Sequence, residues 1–185
     1  MKKILFIALT VLTMNVYGQD KNNFVHFNKL TEVSGTEYVI ASIENWSKIS
    51  ETTSSYLLFI NTKTSERNQV DFPKNAGILK LEQIKLDSLE INLVVVSART
   101  VDLDGKSGID WNDPTQIIII SPNGKEKTQL TEDKFFVRTW TVNRLTGTIV
   151  VTGHYDTNDN KKFDKNDKNE IHIYDLKTLK MISKM

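Results

Sequence analysis

Residues 148–175 read TIVVTGHYDTNDNKKFDKNDKNEIHIYD, with two apolar runs on either side of a polar loop. Short runs rich in Val, Ile, Thr and Tyr are typical of β-strands. The central residues 156–167 are almost all Asp, Asn and Lys, and Asp and Asn favour turns because their side chains bond the local backbone. The stretch therefore predicts two strands joined by an acidic loop.

A second copy of this pattern lies earlier in the chain, because residues 94–121 align with residues 148–175 at a constant shift of 54. Val94-Val95-Val96 falls on Thr148-Ile149-Val150. A weaker third copy ends in residues 57–64, which resemble residues 171–178. The other matched pairs are Asp102 with Asp156, Ile109 with Phe163, Asp110 with Asp164, Asn112 with Asn166, Asp113 with Asp167, Ile117 with Ile171, and Ile119 with Ile173. A fixed period of this length indicates a repeat architecture.

Turn residues divide the chain into twelve predicted strands. Ser34-Gly35, Pro122-Asn123-Gly124 and Thr146-Gly147 mark turns between them. The segment 79–86 has a short helix as its alternative. The predicted strands lie near 24–33, 37–44, 55–61, 67–72, 79–86, 90–99, 115–121, 126–130, 134–143, 147–155, 169–175 and 179–183. We therefore predict an all-β fold of three four-stranded antiparallel repeats, at about 24–73, 78–131 and 133–185.

The first 18 residues resemble an export signal. Lys2 and Lys3 precede the apolar run Ile4–Met14, and Gly18-Gln19 suits cleavage. The run is shorter than the roughly 20 apolar residues that span a bilayer, so we expect no membrane span; a buried N-terminal helix is the alternative. The expected mature protein, residues 19–185, is a single exported domain, periplasmic or secreted.

Composition limits the partners and the sources of stability. The chain has 24 basic and 23 acidic residues, so it lacks the basic excess that nucleic-acid binding requires. It has no cysteine, so neither disulfides nor a lipid anchor on cysteine are expected. Stability must come from the core and from any bound metal.

The acidic loop 156–167 has the ligand spacing of a calcium loop. Asp156, Asn158, Asn160, Asp164 and Asp167 occupy positions 1, 3, 5, 9 and 12, which supply side-chain oxygens in the EF-hand loop. Position 7 is Lys162, whose backbone carbonyl completes the predicted ligand set, and position 8 is the apolar Phe163. Calcium takes six to eight oxygen ligands, and this spacing supplies them.

Two positions depart from that pattern. Lys161 stands where glycine normally permits a sharp turn, and Asp167 stands where glutamate is usual. Glu170, just beyond the loop, is a further candidate ligand. The alternative interpretation is a solvated polar turn in which neighbouring lysines neutralise the carboxylates without metal.

The second loop, residues 102–113, is a weaker candidate of the same kind. Its predicted ligands are Asp102, Asp104, Gly108, Asp110 and Asp113. Position 5 is Lys106, which either turns outward or replaces the ion by pairing with the aspartates. Trp111 in this loop is expected to pack beneath it, with a role in a binding surface as the alternative.

These features together resemble known repeat proteins. The apolar strand, the DxNxD-type loop, a second strand ending Asp175-Leu176-Lys177-Thr178 and the exit Gln129-Leu130-Thr131 resemble blades of TolB-like and WD-type β-propellers. The loop resembles the calcium loops of FG-GAP propellers and dockerins. The resemblance implies an architecture and no activity.

Three repeats are fewer than the four to eight blades of closed propellers. The predicted molecule is therefore a partial propeller, completed by a second copy or a partner, or an open stack, or a β-sandwich. His26, His154 and His172 lie in or beside predicted strands without metal-ligand spacing. We expect a non-enzymatic module that binds a protein or glycan partner or itself; the alternative is a hydrolase or a fragment of a larger propeller enzyme.

Overall fold

The computed structural model describes residues 27–42, 56–106, 108–160 and 164–185. Several predictions fall on other residues and therefore lie outside the described part of the chain. These are the export signal at 1–18, the start of the first strand, His26, and the loop residues Lys161, Lys162 and Phe163. In the part that is described, no helix has the length and apolarity needed to cross a bilayer.

The described residues form twelve strands, in agreement with the sequence prediction. Residues 77–86 are a strand rather than a short helix, and a single 3-10 turn, Asp87–Leu89, follows it. The strands are β1 (Lys29–Glu32), β2 (Tyr38–Ser42), β3 (Tyr56–Asn61), β4 (Arg67–Asp71), β5 (Gly77–Leu86), β6 (Ile91–Arg99), β7 (Thr115–Ile120), β8 (Lys127–Gln129), β9 (Phe135–Asn143), β10 (Thr148–Tyr155), β11 (Lys168–Asp175) and β12 (Lys180–Lys184).

The strands form three four-stranded antiparallel sheets. Sheet 1 contains β1 to β4, sheet 2 contains β5 to β8, and sheet 3 contains β9 to β12, each in chain order. Every connection within a sheet therefore joins neighbouring strands. The predicted all-β fold of three four-stranded repeats is confirmed, and the row of three sheets is compatible with a partial propeller or a sandwich.

Sheet 2 is the middle layer and is buried on both faces. Val94 and Val96 pack in a cluster with residues of sheet 1, whereas Val95 packs in a second cluster with residues of sheet 3. Successive strand residues point to opposite faces, so β6 and β7 need continuous apolar runs. This is why Ile117–Ile120 is uninterrupted and fully buried.

Sheet 3 has only one fully buried face. On β11, His172 and Tyr174 are buried toward sheet 2, while Ile171 is 38% exposed. Glu170 shares the buried face of these two residues, because side chains alternate along the strand. The end of β11 nearest the acidic loop therefore places charged and polar groups between two sheets.

The sequence repeat needs one gap. Val94 pairs with Ile120 in sheet 2, and the equivalent buried pair in sheet 3 is Ile149 with Tyr174. The shift is therefore 55 residues in the first strand and 54 in the second. The ungapped alignment of Val94 with Thr148 is wrong by one residue, since a one-residue slip exchanges the two faces of a strand.

The hairpin turns repeat as well. In residues 61–65, the Asn61 side chain accepts hydrogen bonds from the backbone N–H groups of Lys63 and Thr64, at 2.9 and 3.0 Å. In residues 175–179, the Asp175 side chain accepts the same two bonds at 2.9 and 2.7 Å. The predicted similarity of residues 57–64 to residues 171–178 is confirmed, because it rests on a shared turn.

Candidate metal centre

The two acidic loops occupy equivalent places in the fold. The first, residues 102–113, joins β6 to β7 in sheet 2, and the second, residues 156–167, joins β10 to β11 in sheet 3. Each loop connects the two central strands of its sheet. Their shared position explains why their sequences match.

A buried aspartate anchors each loop at its last position. Asp113, 4% exposed, accepts hydrogen bonds from the backbone N–H groups of Leu103 and Asp110, both at 2.8 Å. Asp167, 6% exposed, accepts the equivalent bonds from Thr157 at 3.2 Å and Asp164 at 2.6 Å. Each anchor thus ties both ends of its loop together through a charged acceptor, the stronger class of hydrogen bond.

The same correspondence extends to a small turn inside each loop. The Asp110 carboxylate accepts a bond from the Asn112 N–H at 2.7 Å, and the Asp164 carboxylate accepts one from the Asn166 N–H at 2.7 Å. Each residue of the loop 102–113 in these bonds corresponds to the residue 54 positions later in the loop 156–167. The C-terminal halves of the two loops therefore share one backbone scaffold.

The tight turn of each loop lies at position 4. Gly105 has φ +67° and Asp159 has φ +54°, both in the left-handed region. Glycine adopts this region without steric cost, and aspartate tolerates it better than most residues. The sequence directed attention to Lys161 at position 6, which lies outside the described residues, and did not indicate a turn at position 4.

Three carboxylates converge in the loop 102–113. Asp102, Asp104 and Asp113 each offer an oxygen, and these oxygens lie within 4.8 Å of one another. Calcium binds oxygen at about 2.3–2.6 Å, so ligands on opposite sides of the ion are about 5 Å apart. The donor type and the spacing both fit a hard divalent cation, and the role of the Gly108 carbonyl as a further ligand stays a prediction.

Lys106 does not enter this cluster. Its ammonium lies 3.7 Å from one oxygen of Asp104, and its side chain is 69% exposed. It therefore pairs with a single aspartate from the solvent side. The Asp104 side chain is only 16% exposed, but the ammonium stays largely in water, which weakens the attraction an incoming cation has to replace.

The loop 156–167 is closed by amide groups in this conformation. The side-chain amides of Asn158 and Asn160 donate to one oxygen of Asp164, at 3.2 and 2.7 Å. The Asn166 backbone N–H, and then these amides, lower the pKa of Asp164. To serve as metal ligands, both amides must turn their oxygens inward. Asp156 contributes to the turn instead, accepting a bond from the Asn160 N–H at 3.1 Å.

A buried polar chain on β11 was not predicted from the sequence. His172 lies 2.8 Å from an oxygen of Glu170 and 3.2 Å from the Tyr174 hydroxyl, and its ring stacks on Phe135 at 4.2 Å. Lys168 also pairs with Glu170, at 2.9 Å. Glu170 is therefore held in place through both carboxylate oxygens, and its role as a further metal ligand stays a prediction. The spacing of Glu170, His172 and Tyr174 at every second residue of the strand was the sequence signal that could have predicted these contacts.

The hydrogen-bonded side chains of Glu170, His172 and Lys168 should make the stability of the protein depend on pH below 4.5. The hydrogen bonds from His172 and Lys168 lower the pKa of Glu170 from 4.5 to about 2. The unfolded chain therefore takes up the proton first, and the stabilisation is complete above pH 4.5 and lost as the pH falls toward about 2. We expect the difference in unfolding free energy between the wild type and Glu170→Gln, measured by urea denaturation, to shrink over this interval.

Glu126→Gln is the matched control, because Glu126 is exposed in the turn between β7 and β8. Its difference from the wild type should stay constant over the same interval. A constant difference for Glu170→Gln as well would show that the ionised carboxylate is not the stabilising form.

Two other residues were singled out in the sequence, and one of them differs from expectation. Trp111 is 78% exposed, so the prediction that it packs beneath the loop is wrong. His154 is buried and stacks on Phe136 at 4.9 Å. Burial, with a further contribution from the Arg138 guanidinium, lowers the pKa of His154, so this ring is neutral near pH 7.

Comparisons with known proteins leave the family open. No protein-family profile matches the chain, and no curated protein matches it significantly. Among solved structures, it resembles Pyrococcus horikoshii acylaminoacyl peptidase with a TM-score of 0.43 and 10% identity, over 84% of this chain and 24% of that one. It also resembles a Synechocystis apocarotenoid oxygenase mutant, Glu150Gln in the numbering of that protein, with a TM-score of 0.37 and 15% identity over 80% and 34%. The chain thus spans about a quarter to a third of these structures.

Proposed function

We propose that this protein is an exported, calcium-binding, propeller-like binding or scaffold module without catalytic activity, whose partner is a protein, a glycan or a second copy. The observation that carries the proposal is the convergence of Asp102, Asp104 and Asp113 within 4.8 Å. The equivalent scaffold around Asp167 supports a second site of the same type, with Asp156, Asn158, Asn160, Lys162 and Asp164 as its other ligands.

Calcium is the cation that suits these groups and the expected location. All donors are oxygens, which calcium prefers, and magnesium requires a smaller, near-octahedral arrangement. Extracellular calcium modules bind with Kd values of about 10⁻⁴–10⁻³ M. An ion bound only by the folded chain stabilises it by mass action, and here it replaces the cross-links that a chain without cysteine lacks.

The alternative of a hydrolase has less support. A hydrolytic site of the kind expected from the sequence brings carboxylates together with a histidine. Of the two described histidines, His154 stacks on Phe136. His172 does pair with Glu170 at 2.8 Å, but the two side chains are only 1% and 5% exposed, so the pair is closed off from a substrate in solution. Their positions favour structural roles, so a binding function remains the proposal.

Replacing Lys106 by asparagine should increase calcium affinity by about tenfold, since ligand number and charge set the affinity of such loops. The change removes a positive charge 3.7 Å from Asp104 and adds an oxygen at position 5. Isothermal titration calorimetry on the wild type and on Lys106→Asn measures the effect.

Lys125→Asn is the control, because it removes a lysine from an exposed turn outside both loops, and its affinity should match that of the wild type. Absence of calcium binding by the wild type below about 10 mM, beyond the weak extracellular class, would refute the metal part of the proposal. An unchanged melting temperature in chelator would refute the structural role of the ion.

A further inference from the structure

A cavity of about 450 Å³ lies between the two acidic loops. The loop of sheet 2 contributes Asp104 and Asn112, the loop of sheet 3 contributes Asp159, and the segment leading into β9 contributes Lys134. Pockets for small molecules are commonly about 300–1,000 Å³. The cavity is therefore large enough for a small organic ligand and is formed by two repeats together.

Two aromatic rings form the apolar part of its wall. Phe136 and Tyr155 line the cavity and are half-buried. Phe136 is supported from behind by the stacked His154 ring, and Tyr155 by Phe135, at 5.1 Å. The Tyr155 hydroxyl also donates to Glu132 at 3.2 Å. Both rings are therefore held in place before any ligand arrives, which reduces the entropic cost of binding.

The polar part of the wall offers donors and acceptors side by side. Asp104 and Asp159 are acceptors, whereas Lys134 is a donor and the Asn112 amide is both. Asp104 is also a proposed calcium ligand, so an ion in that loop would border the cavity. A ligand suited to this wall must donate and accept at several points and must present an apolar face to the rings.

We propose that this cavity binds a saccharide, with the ring face of a sugar against Phe136 and Tyr155 and its hydroxyl groups between the carboxylates and Lys134. Hydroxyl groups both donate and accept, so one sugar satisfies both kinds of wall group. This inference deepens the proposed function, on which it rests, by choosing a glycan over a protein or a second copy.

A cationic ligand is the competing chemistry, because among the described residues of the wall the carboxylates outnumber the ammonium groups. The Lys134→Ala variant separates the two. For a sugar, the change removes a hydrogen-bond donor and weakens binding. For a cation, it removes a repulsive charge and strengthens binding.

The experiment measures binding of sugars to the full chain by saturation-transfer NMR and by calorimetry, once with calcium and once with chelator. The sugars are methyl α-glucoside, methyl α-galactoside, methyl α-mannoside and N-acetylglucosamine. We expect at least one sugar to bind saturably in the millimolar range. Lys134→Ala and Asn112→Ala should each weaken it about fivefold, the effect of one hydrogen bond. Lys125→Ala, outside the cavity, should bind like the wild type.

Two results would overturn the inference. One is the absence of binding by all four sugars at 50 mM, on the order of the weakest useful affinity. The other is binding of 1,4-diaminobutane that Lys134→Ala strengthens. Calcium calorimetry on the same sample separates the two proposals. Calcium binding without sugar binding removes only the saccharide proposal, and sugar binding without calcium binding supports the cavity while removing the calcium part of the proposed function.

Discussion

Phe135→Ala is expected to lower the free energy of unfolding by about 3–5 kcal/mol, the range for removing a buried aromatic ring. Phe135 is completely buried and packs in the cluster that joins sheets 2 and 3. Its ring stacks on His172 at 4.2 Å with an interplanar angle of 12° and supports Tyr155. Removing it leaves a cavity beside the Glu170–His172 pair.

The structure shows how closely this ring is packed. A Cβ atom on Gly153 would lie 2.6 Å from Cζ of Phe135 and 2.5 Å from the carbonyl oxygen of Phe136. The glycine in β10 is therefore required by the ring opposite it. A site filled this tightly cannot collapse easily after truncation, which places the expected loss in the upper part of the range.

Urea denaturation of Phe135→Ala and Phe135→Leu tests this prediction. Leucine retains most of the apolar volume, so its loss should be about 1–2 kcal/mol. A loss below about 1 kcal/mol for alanine would show that the ring does not hold sheets 2 and 3 together.

Asp113→Ala is expected to lower the free energy of unfolding by about 2–4 kcal/mol without calcium and to abolish calcium binding in its loop. The buried carboxylate accepts backbone hydrogen bonds from Leu103 and Asp110 at 2.8 Å. Alanine leaves both N–H groups without their acceptor, and each bond to a charged group contributes about 1.5–3 kcal/mol. Water partly reaches the loop and can replace the lost acceptor, so the expected loss of unfolding free energy is smaller than the sum of the two bonds.

Urea denaturation in chelator isolates the hydrogen-bond effect, and calorimetry measures the calcium effect. Asp87→Ala is the matched control. The Asp87 side chain is 83% exposed and pairs with Lys85 at 3.4 Å in solvent, so this variant should lose almost no unfolding free energy. Asp167→Ala should behave like Asp113→Ala. Unchanged stability of Asp113→Ala in chelator would contradict the anchoring role.

Local pattern was sufficient to predict the strands and the loops. Val94-Val95-Val96 and Ile117–Ile120 are short β-branched runs, and turn residues separate them from their neighbours. The oxygen-bearing side chains at positions 1, 3, 9 and 12 located both loops, since spacing along the chain fixes which residues share a turn. The prediction about Trp111 failed because burial of a loop side chain depends on which segment lies opposite it.

The chain by itself determined the twelve strands, their division into three sheets and the position of both acidic loops, because these follow from alternation, turn chemistry and spacing between near neighbours. Only the tertiary structure decided the one-residue gap between the repeats, the burial of His172 against Phe135, and the cavity that Lys134 and Asp104 both line. These depend on how separate sheets pack face to face, and such contacts join residues whose distance in sequence carries no information about their distance in space.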